Sequence, residues 1–413
     1  MTSKERILAA LHGEPADHVP LTTWCFGFRA PESLRWRTGG REVTYWYTNR
    51  LEHLHTLPHP WTLEDEFQRA EAWLSLGIDD LLEVSVPWGR APEVRIDDSV
   101  LAAGAPGGDP RYPVMVRCYE TPSGRLRHAV RRTGNESEGW PVQPDCVPLF
   151  EDYNIPRAVE HLVSKPADVP MIRHVYAPPD QGQRDWFAGR MAKMKTFADR
   201  KGLFVQAWTA FGMDAVVWFT GTEGAVMLAM DAPEAFEQLV TTIAETDLAR
   251  TELAARSEGV DMVCQRGWYS STDFWSPALF ERYVFPHVAE LAEMAHRHGK
   301  KFGYVMTTGV ERLGPRLADA GVDLLYFVDP DLDGILLERA RDLFGNRMTM
   351  VGGLNSRCLA SGEPKKIASE VQRALEVLGP TNRFILHPLD AIFPDTPFEG
   401  VMEMINSWKR LIP

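Results

Sequence analysis

A loop towards the end of the sequence carries side chains that could exchange protons with a substrate. His387, Asp390 and Asp395 follow the apolar stretch 383–386, which has the pattern of a buried strand, and prolines keep the loop from becoming helical. A buried strand that delivers ionisable groups at its own C-terminal end is typical of the active-site face of a (β/α)8 barrel. Asp395 lies three residues before the start of the last predicted helix, so capping that helix is its favoured role.

Glu83 and Tyr304 are further candidates for acid–base chemistry. Glu83 lies inside the apolar stretch 80–86, where a carboxylate costs free energy unless it is paired or used. Tyr304 belongs to another predicted strand, and its alternative role is packing in the core. Together with His387 and Asp390, these two side chains form the predicted catalytic set.

A separate group of imidazoles could ligate a metal ion. His53, His55 and His59 lie close together, but no carboxylate or cysteine lies within their segment. Solvated or stacking histidines are therefore the favoured interpretation.

The rest of the sequence supplies the elements of a barrel. Apolar strands alternate with helices, which is typical of parallel strands joined by helical crossovers. We predict eight strands, at 19–22, 80–86, 203–208, 261–265, 301–306, 324–329, 348–353 and 383–386. The longer predicted helices are 3–12, one that starts at 62 and stops at Gly77, 187–200, 232–257, 276–298 with a kink at Pro286, 310–320, 333–343, 363–377 and 398–410.

We therefore predict a single (β/α)8 TIM barrel over residues 1–413, in the α/β class, with a β-hairpin insertion. The chain exceeds the roughly 250 residues typical of such a barrel, so it has room for insertions. An aromatic and basic stretch, 24–62, is predicted to be an active-site loop with little regular structure. A second insertion, 90–185, contains the hairpin, with a Pro-Ser-Gly turn at 122–124.

Composition excludes some classes of function. A net charge of −13 argues against nucleic acid as the main partner, because phosphate binding needs clustered Lys and Arg. No apolar run approaches the roughly 20 residues that span a bilayer. The five cysteines lie far apart with no CxxC pair, and no targeting signal is evident, so we expect a cytoplasmic protein.

The predicted strand ends together define a rim that is mostly aromatic. Such a rim suits a flat, largely apolar organic molecule with a few polar groups. Beyond the catalytic set, its predicted substrate-binding residues are Trp208, Gln265, Arg266, Trp268, Met306, Tyr326 and Asn355.

Several segments resemble the uroporphyrinogen decarboxylase superfamily. They are the opening segments 5–13 and 17–20, the segments 120–124 and 276–280, and the C-terminal segments 350–362 and 384–397. Segment 120–124, Glu-Thr-Pro-Ser-Gly, resembles the corrinoid-dependent methyltransferase branch more than the true decarboxylases. The resemblance implies one (β/α)8 barrel, and by analogy a homodimer.

The sequence departs from the decarboxylase pattern. Decarboxylases of this superfamily carry an Arg-x-x-Gly-Arg segment that binds substrate carboxylates. Here the segment Arg37 to Arg41 has that form, but it lies about a dozen residues further along the chain than in the family. The position that aligns better contains Arg29. We retain Arg29, Arg37 and Arg41 as predicted substrate-binding residues. The Leu-Gly-His-Gly loop of the decarboxylases falls on residues 389–391, so Asp390 replaces the histidine.

The zinc ligands of the methyltransferase branch are also replaced. Its His-x-Cys pair and later cysteine correspond to Tyr304, Met306 and Asp390, so zinc in the usual form is not expected. A rebuilt oxygen and nitrogen site from His387, Asp390 and Glu83 is the remaining metal hypothesis. The acidic pair of the superfamily falls on Gln265 and Arg266, a charge reversal that should change the substrate headgroup.

The favoured hypothesis is a methyltransferase-like enzyme that moves a methyl group from a small methoxy-aromatic or methylamine donor to a corrinoid (cobalamin). The chain has no Asp-x-His-x-x-Gly signature, so the corrinoid would be free or carried by a partner protein. One alternative is a decarboxylase acting on uroporphyrinogen or another carboxylated aromatic. A second alternative is a non-catalytic barrel that binds a tetrapyrrole.

Overall fold

The computed structural model describes residues 1–48, 55–134 and 138–412. His53 and part of the predicted loop 24–62 therefore lie outside the described residues. None of the helices within these ranges is both long and apolar enough to cross a bilayer.

Strands form the centre of the molecule and two peripheral regions. In chain order the described strands are β1 Phe26–Arg29, β2 Trp36–Thr38, β3 Arg41–Val43, β4 Tyr45–Tyr47, β5 Leu81–Ser85, β6 Arg95–Leu101, β7 Val114–Thr121, β8 Gly124–Arg131, β9 Ala158–Glu160, β10 Phe204–Ala210, β11 Met262–Gln265, β12 Lys301–Val305, β13 Leu324–Val328, β14 Thr349–Asn355 and β15 Phe384–Leu389.

The central sheet is parallel and has the order β15-β14-β13-β12-β11-β10-β5. The segment 20–22 extends it beyond β15, because Leu21 forms a parallel bridge with Leu386 and the Leu386 N–H donates to the Pro20 carbonyl at 2.9 Å. This arrangement confirms the predicted TIM-barrel fold. The first strand is shorter than predicted, since Pro20 has no N–H to donate to a ladder.

Helices connect these strands. The described helices are α1 Ser3–His12, α2 Leu63–Ser75, α3 Asn154–Arg157, α4 Ile172–Val175, α5 Gln181–Lys201, α6 Met213–Asp231, α7 Pro233–Ala255, α8 Pro277–Tyr283, α9 Phe285–Arg297, α10 Val310–Asp319, α11 Leu337–Phe344, α12 Ser356–Ala360, α13 Pro364–Leu378 and α14 Phe398–Leu411.

Two helical predictions were wrong. Helix α6 was not predicted, because its first half is buried on every side and so lacks an apolar stripe. Gly221, with φ 71°, interrupts this helix. The predicted kink at Pro286 is instead a break at Val284, and Pro286 lies in the first turn of α9, where a missing N–H costs nothing.

The peripheral strands form small antiparallel sheets. β1 pairs with β4 and β2 with β3, so the stretch after residue 24 is more regular than the predicted loop. β6 to β9 form a four-stranded sheet, and β7 and β8 are its hairpin, as the predicted fold requires. The boundaries 24–62 and 90–185 stay predictions.

Helix α1 closes the base of the barrel. Its apolar residues Ile7, Ala10 and Leu11 pack in one cluster with inward-facing side chains from the starts of the strands, such as Phe204. Arg383, just before β15, donates to the carbonyls of Leu11 at 2.9 Å and His12 at 3.0 Å, which satisfies the end of α1. The candidate active site therefore lies at the opposite end of the barrel, where the strands end.

Candidate active site

A polar network crosses the interior of the barrel. Glu83 on β5 and Gln206 on β10 are neighbours in register, and the Gln206 Nε2 donates to the Glu83 Oε1 at 3.2 Å. The Tyr326 Oη donates to the Gln206 Oε1 at 2.8 Å. Because Tyr326 lies on β13, three strands from Gln206 in the sheet, this bond spans the interior. Both Glu83 and Gln206 are 0% exposed, so the network lies deep in the barrel.

An aromatic cluster covers this network. Trp24 stacks on Tyr326 with ring centroids 4.6 Å apart, and it also contacts Trp208, whose position on β10 is two residues beyond Gln206. His387 meets Trp24 edge to face at 5.2 Å, and its Nδ1 is 3.0 Å from the Thr22 Oγ1. Trp268 and Phe327 complete the cluster, which separates Glu83 from the mouth of the barrel.

A cavity of about 160 Å³ lies at the mouth, directly above the cluster. Four of the residues that line it are aromatic and three are charged. This combination suits a small apolar molecule with one polar group. The lining residues are Phe26, Asp152, Arg266, Trp268, Tyr269, Asp390, Ala391 and Phe393.

Arg266 is fixed in the cavity wall by buried partners. Its Nε donates to Asp214 at 2.8 Å, and its guanidinium lies 4.5 Å from the ring centre of Trp268 and 4.6 Å from that of Trp218. Burial raises the pKa of Asp214 to about 6, although the Arg266 charge opposes this. The charge of Arg266 is thus paired mainly with the Asp214 carboxylate and not with a substrate.

A larger chamber of about 530 Å³ adjoins the cavity. The two spaces share Phe26 and Asp152 as wall residues. The other residues of the chamber wall are Thr56, Trp140, Pro141, Glu151, Tyr153 and Arg157. The insertion after β8 supplies most of them, so it forms one side of the entrance.

The structure brings together half of the predicted site residues. Glu83, Trp208, Tyr326 and His387 lie in or directly over the interior network. Asp390, Arg266 and Trp268 line the cavity above them.

Three predicted residues, two on β11 and β12 and one directly after β12, do not face the barrel interior. Cys264 and Val305 point into the barrel interior, so their neighbours Gln265 and Tyr304 point outward. The Tyr304 hydroxyl is 2.6 Å from the Ser270 Oγ, and burial raises the pKa of that phenol. Met306 packs in the same outer core. The structure therefore contradicts a shared site that includes these side chains.

The predicted substrate-binding arginines and Asn355 also lie elsewhere. Arg29 is exposed, Arg37 donates to the Gly40 carbonyl, and Arg41 lies 3.9 Å from the Asp65 carboxylate near the start of α2. Asn355 donates to Asp329 at 2.7 Å and caps α12. None of these four side chains lines the cavity or the chamber.

Sequence reasoning missed several residues of the site. Thr22 ends the first predicted strand and Trp24 lies two positions later, and this spacing was the available signal. Asp214 begins the unpredicted helix α6, and Asp152 lies in the insertion, so neither had a strand end to mark it. Tyr269, whose hydroxyl donates to Asp152 at 2.8 Å, follows Trp268 in a 3₁₀ turn.

The proposed metal ligands do not form a ligand set. Within the described ranges, no group of three His, Cys, Asp or Glu side chains is placed to hold a metal ion. Glu83 is bonded to Gln206 below the aromatic cluster, whereas Asp390 lies in the cavity above it. The described residues therefore do not bring Glu83, His387 and Asp390 together as a set of metal ligands.

Comparisons with known proteins agree with this architecture. Residues 213–411 match the family described as uroporphyrinogen decarboxylase (URO-D). A uroporphyrinogen decarboxylase from Syntrophotalea carbinolica is 26% identical over 188 residues, which are 45% of this chain and 51% of that protein. The chain thus spans about half the length of the curated relative it matches. The chain is therefore similar to the uroporphyrinogen decarboxylase family, whose model matches just under half of its residues.

A solved structure extends the likeness to the whole chain. A methyltransferase from Methanosarcina mazei superposes with a TM-score of 0.57 and covers 100% of both chains at 17% identity. At this identity the likeness shows the fold alone. The family and this shared fold together support an enzyme, and its reaction has to be argued from the site.

Proposed function

We propose that the protein is a methyltransferase-like enzyme that moves a methyl group from a small methoxy-aromatic or methylamine donor to a corrinoid acceptor. The observation that carries this proposal is the mouth cavity, which is lined by four aromatic residues and by the carboxylates of Asp152 and Asp390. A substrate with many carboxylates would need several arginines, and Arg29, Arg37 and Arg41 do not line this cavity.

In methyl transfer, the bond between the methyl carbon and its oxygen or nitrogen breaks, and the electron pair of that bond stays on the heteroatom. A reduced corrinoid, free or on a partner protein, supplies the electron pair that binds the methyl carbon. Trp268 and Phe393 would hold the donor by its apolar surface. Asp390 would face the methyl group, whose partial positive charge grows in the transition state.

The outer chamber suits the approach of a flat acceptor. Trp140 stacks on Phe393 at 6.1 Å and 20°, so the aromatic wall continues from the chamber into the cavity. Below the cavity, the bonds from Tyr326 to Gln206 and from Gln206 to Glu83 fix the ring on which Trp24 stacks. We therefore assign Glu83 and Tyr326 positioning roles.

The test is methyl transfer to reduced cobalamin from a panel of methoxy-aromatic and methylamine donors, followed by the absorbance of methylcobalamin. We expect transfer from at least one donor, and a loss of about 10²-fold in kcat/KM in Asp390→Asn. Asp145→Asn, a change at an exposed carboxylate of the insertion, is the control. If no donor gives transfer to free cobalamin or to a purified corrinoid protein, the proposal is wrong.

Decarboxylation is the second candidate, favoured by the similarity to the Syntrophotalea carbinolica decarboxylase. A carboxylate such as Asp390 could stabilise the protonated ring that precedes loss of CO₂. The two candidates separate in one assay, because release of CO₂ from uroporphyrinogen, lost in Asp390→Asn, would favour decarboxylation. We expect no release.

A further inference from the structure

Glu151 is a buried carboxyl group in the chamber wall that the fold does not explain. Its side chain is 3% exposed, and its Oε2 has no hydrogen-bond partner among the residues that the structure describes. The Oε1 receives a long bond, 3.5 Å, from the Tyr153 N–H. No ion pair of the described residues includes it, so stability alone gives no reason for a carboxyl group here.

The next residue, Asp152, has a different environment. Its carboxylate accepts hydrogen bonds from the Trp218 Nε1 and the Tyr269 Oη, both at 2.8 Å, and lies 3.9 Å from Arg266. Two adjacent carboxyl groups with such unequal surroundings are the usual arrangement for dividing acid and base roles.

Burial raises the pKa of Glu151 well above its usual value, and the negative charge of Asp152 raises it further. The backbone N–H groups of Tyr153 and Asp152 and the charge of Arg266 oppose this only in part. Arg157, a cation of the chamber wall, stacks on the ring of Tyr153. Burial and the neighbouring charge therefore favour the protonated form of Glu151 over its carboxylate.

We propose that Glu151 is the catalytic acid that protonates the oxygen released when a methyl ether loses its methyl group. This inference rests on the proposed methyl transfer and assigns its donor to the methyl ethers. The carbon–oxygen bond breaks, its electron pair stays on oxygen, and that oxygen takes the proton of the Glu151 carboxyl group. The products are an alcohol or phenol and a Glu151 carboxylate, which recovers a proton from water.

The position of Glu151 fits this role. The chamber that it lines shares Phe26 and Asp152 with the cavity, so a donor with its methyl group beside Asp390 would extend its oxygen towards the chamber. A methylated ammonium donor leaves as a neutral amine and needs no proton. A protonated carboxyl group at this position would therefore accelerate the demethylation of an ether. It would have no effect on the demethylation of an ammonium donor.

The test compares Glu151→Gln with the unchanged protein on aryl methyl ethers whose phenols differ in acidity. We expect a loss of about 10²–10⁴-fold in kcat for ethers of weakly acidic phenols, because a general acid contributes most to a basic leaving group. The loss should shrink for ethers of acidic phenols and vanish for tetramethylammonium. Asp145→Asn serves as the control within the same insertion. Equal losses for all donors, or no loss for any ether, would overturn the inference.

Two measurements on the unchanged protein guard against a variant that folds poorly. The rate with an ether of a weakly acidic phenol should fall as the pH rises through the pKa of Glu151, whereas the rate with tetramethylammonium should not. The infrared spectrum at neutral pH should contain the carbonyl band of a protonated carboxylic acid. An ionised Glu151 would overturn the inference and leave the proposed function standing, whereas failure of every donor would overturn both.

Discussion

Tyr326 and Tyr304 are buried tyrosines on neighbouring strands whose surroundings give them different roles. The Tyr326 hydroxyl belongs to the network inside the barrel, and the Tyr304 hydroxyl bonds Ser270 outside it. Both phenols are almost fully buried. The same substitution at each of the two tyrosines can therefore distinguish an effect on stability from an effect on activity.

Replacing each tyrosine by Phe should lower stability to a similar extent and lower activity in one case only. Each change leaves a buried acceptor or donor without its partner, at a cost of about 1–3 kcal/mol. Tyr326→Phe also frees Gln206 to turn, so we expect kcat for methyl transfer to fall by about tenfold or more. Tyr304→Phe should leave kcat unchanged. Thermal unfolding and steady-state kinetics measure the two effects, and equal kinetic losses would contradict the assignment.

The same pair explains which site residues the sequence could reveal. Side chains alternate between the two faces of a strand, so an error of one position moves a residue out of the site. Glu83 was recognisable because a carboxylate is unusual in a buried strand. Gln265 and Tyr304 were placed at the rim by their distance from the strand end, but Cys264 and Val305 take the inward positions.

Helix α6 fixes the cavity wall through its first turn. The Asp214 carboxylate accepts from the Arg266 side chain at 2.8 Å and from the Tyr269 N–H at 2.8 Å. It therefore joins the start of α6 to the loop after β11, which contributes three of the residues around the cavity. No sequence pattern could predict this contact, because α6 itself has no amphipathic signature.

Arg266→Met should destabilise the protein strongly. The change leaves Asp214 buried without its cation, and breaking such a pair typically costs about 3–5 kcal/mol. Denaturant unfolding measures the loss. Arg282→Met removes an exposed ion pair with Glu237 and should cost about 0.5 kcal/mol or less. Similar losses in the two variants would contradict a structural role for the Arg266 pair.

Asp214 should also make stability depend on pH. Burial raises its pKa to about 6 in the folded chain, against about 3.9 when unfolded. The folded state keeps a proton that the unfolded state releases, so this contribution is greatest below about pH 4 and is lost as the pH rises through 6. The melting temperature of the unchanged protein relative to Asp214→Asn should therefore fall between these pH values. A difference that does not vary with pH would contradict the assignment.

At the scale of the whole molecule, the barrel was predictable and its boundary regions were not. The alternation of apolar strands and helices is repeated eight times, so one misjudged helix does not change the fold. The small sheets of β1 to β4 depend on pairing between short aromatic segments such as 26–29 and 45–47, which have no distinctive period. The walls of the cavity come partly from these regions.

The base of the barrel offers a test of how its parts are held together. Arg383→Met removes two hydrogen bonds from the guanidinium to the last carbonyls of α1. We expect a loss of about 2 kcal/mol in the free energy of unfolding, since bonds from charged donors are stronger than neutral ones. Arg341→Met, at an exposed ion pair with the adjacent Asp342, is the control and should change little. An equal effect would show that α1 is held by apolar packing alone.

The pairing of the segment 20–22 with β15 has a consequence for biosynthesis. Thr22 and His387 lie 365 positions apart, yet their side chains touch inside the barrel. A ribosome must translate almost the whole barrel before the segment 20–22 can pair with β15. Contacts between such distant positions also form slowly. Until then the apolar inner surface of the growing chain stays exposed to other molecules. Nascent chains should therefore depend on chaperones to avoid aggregation.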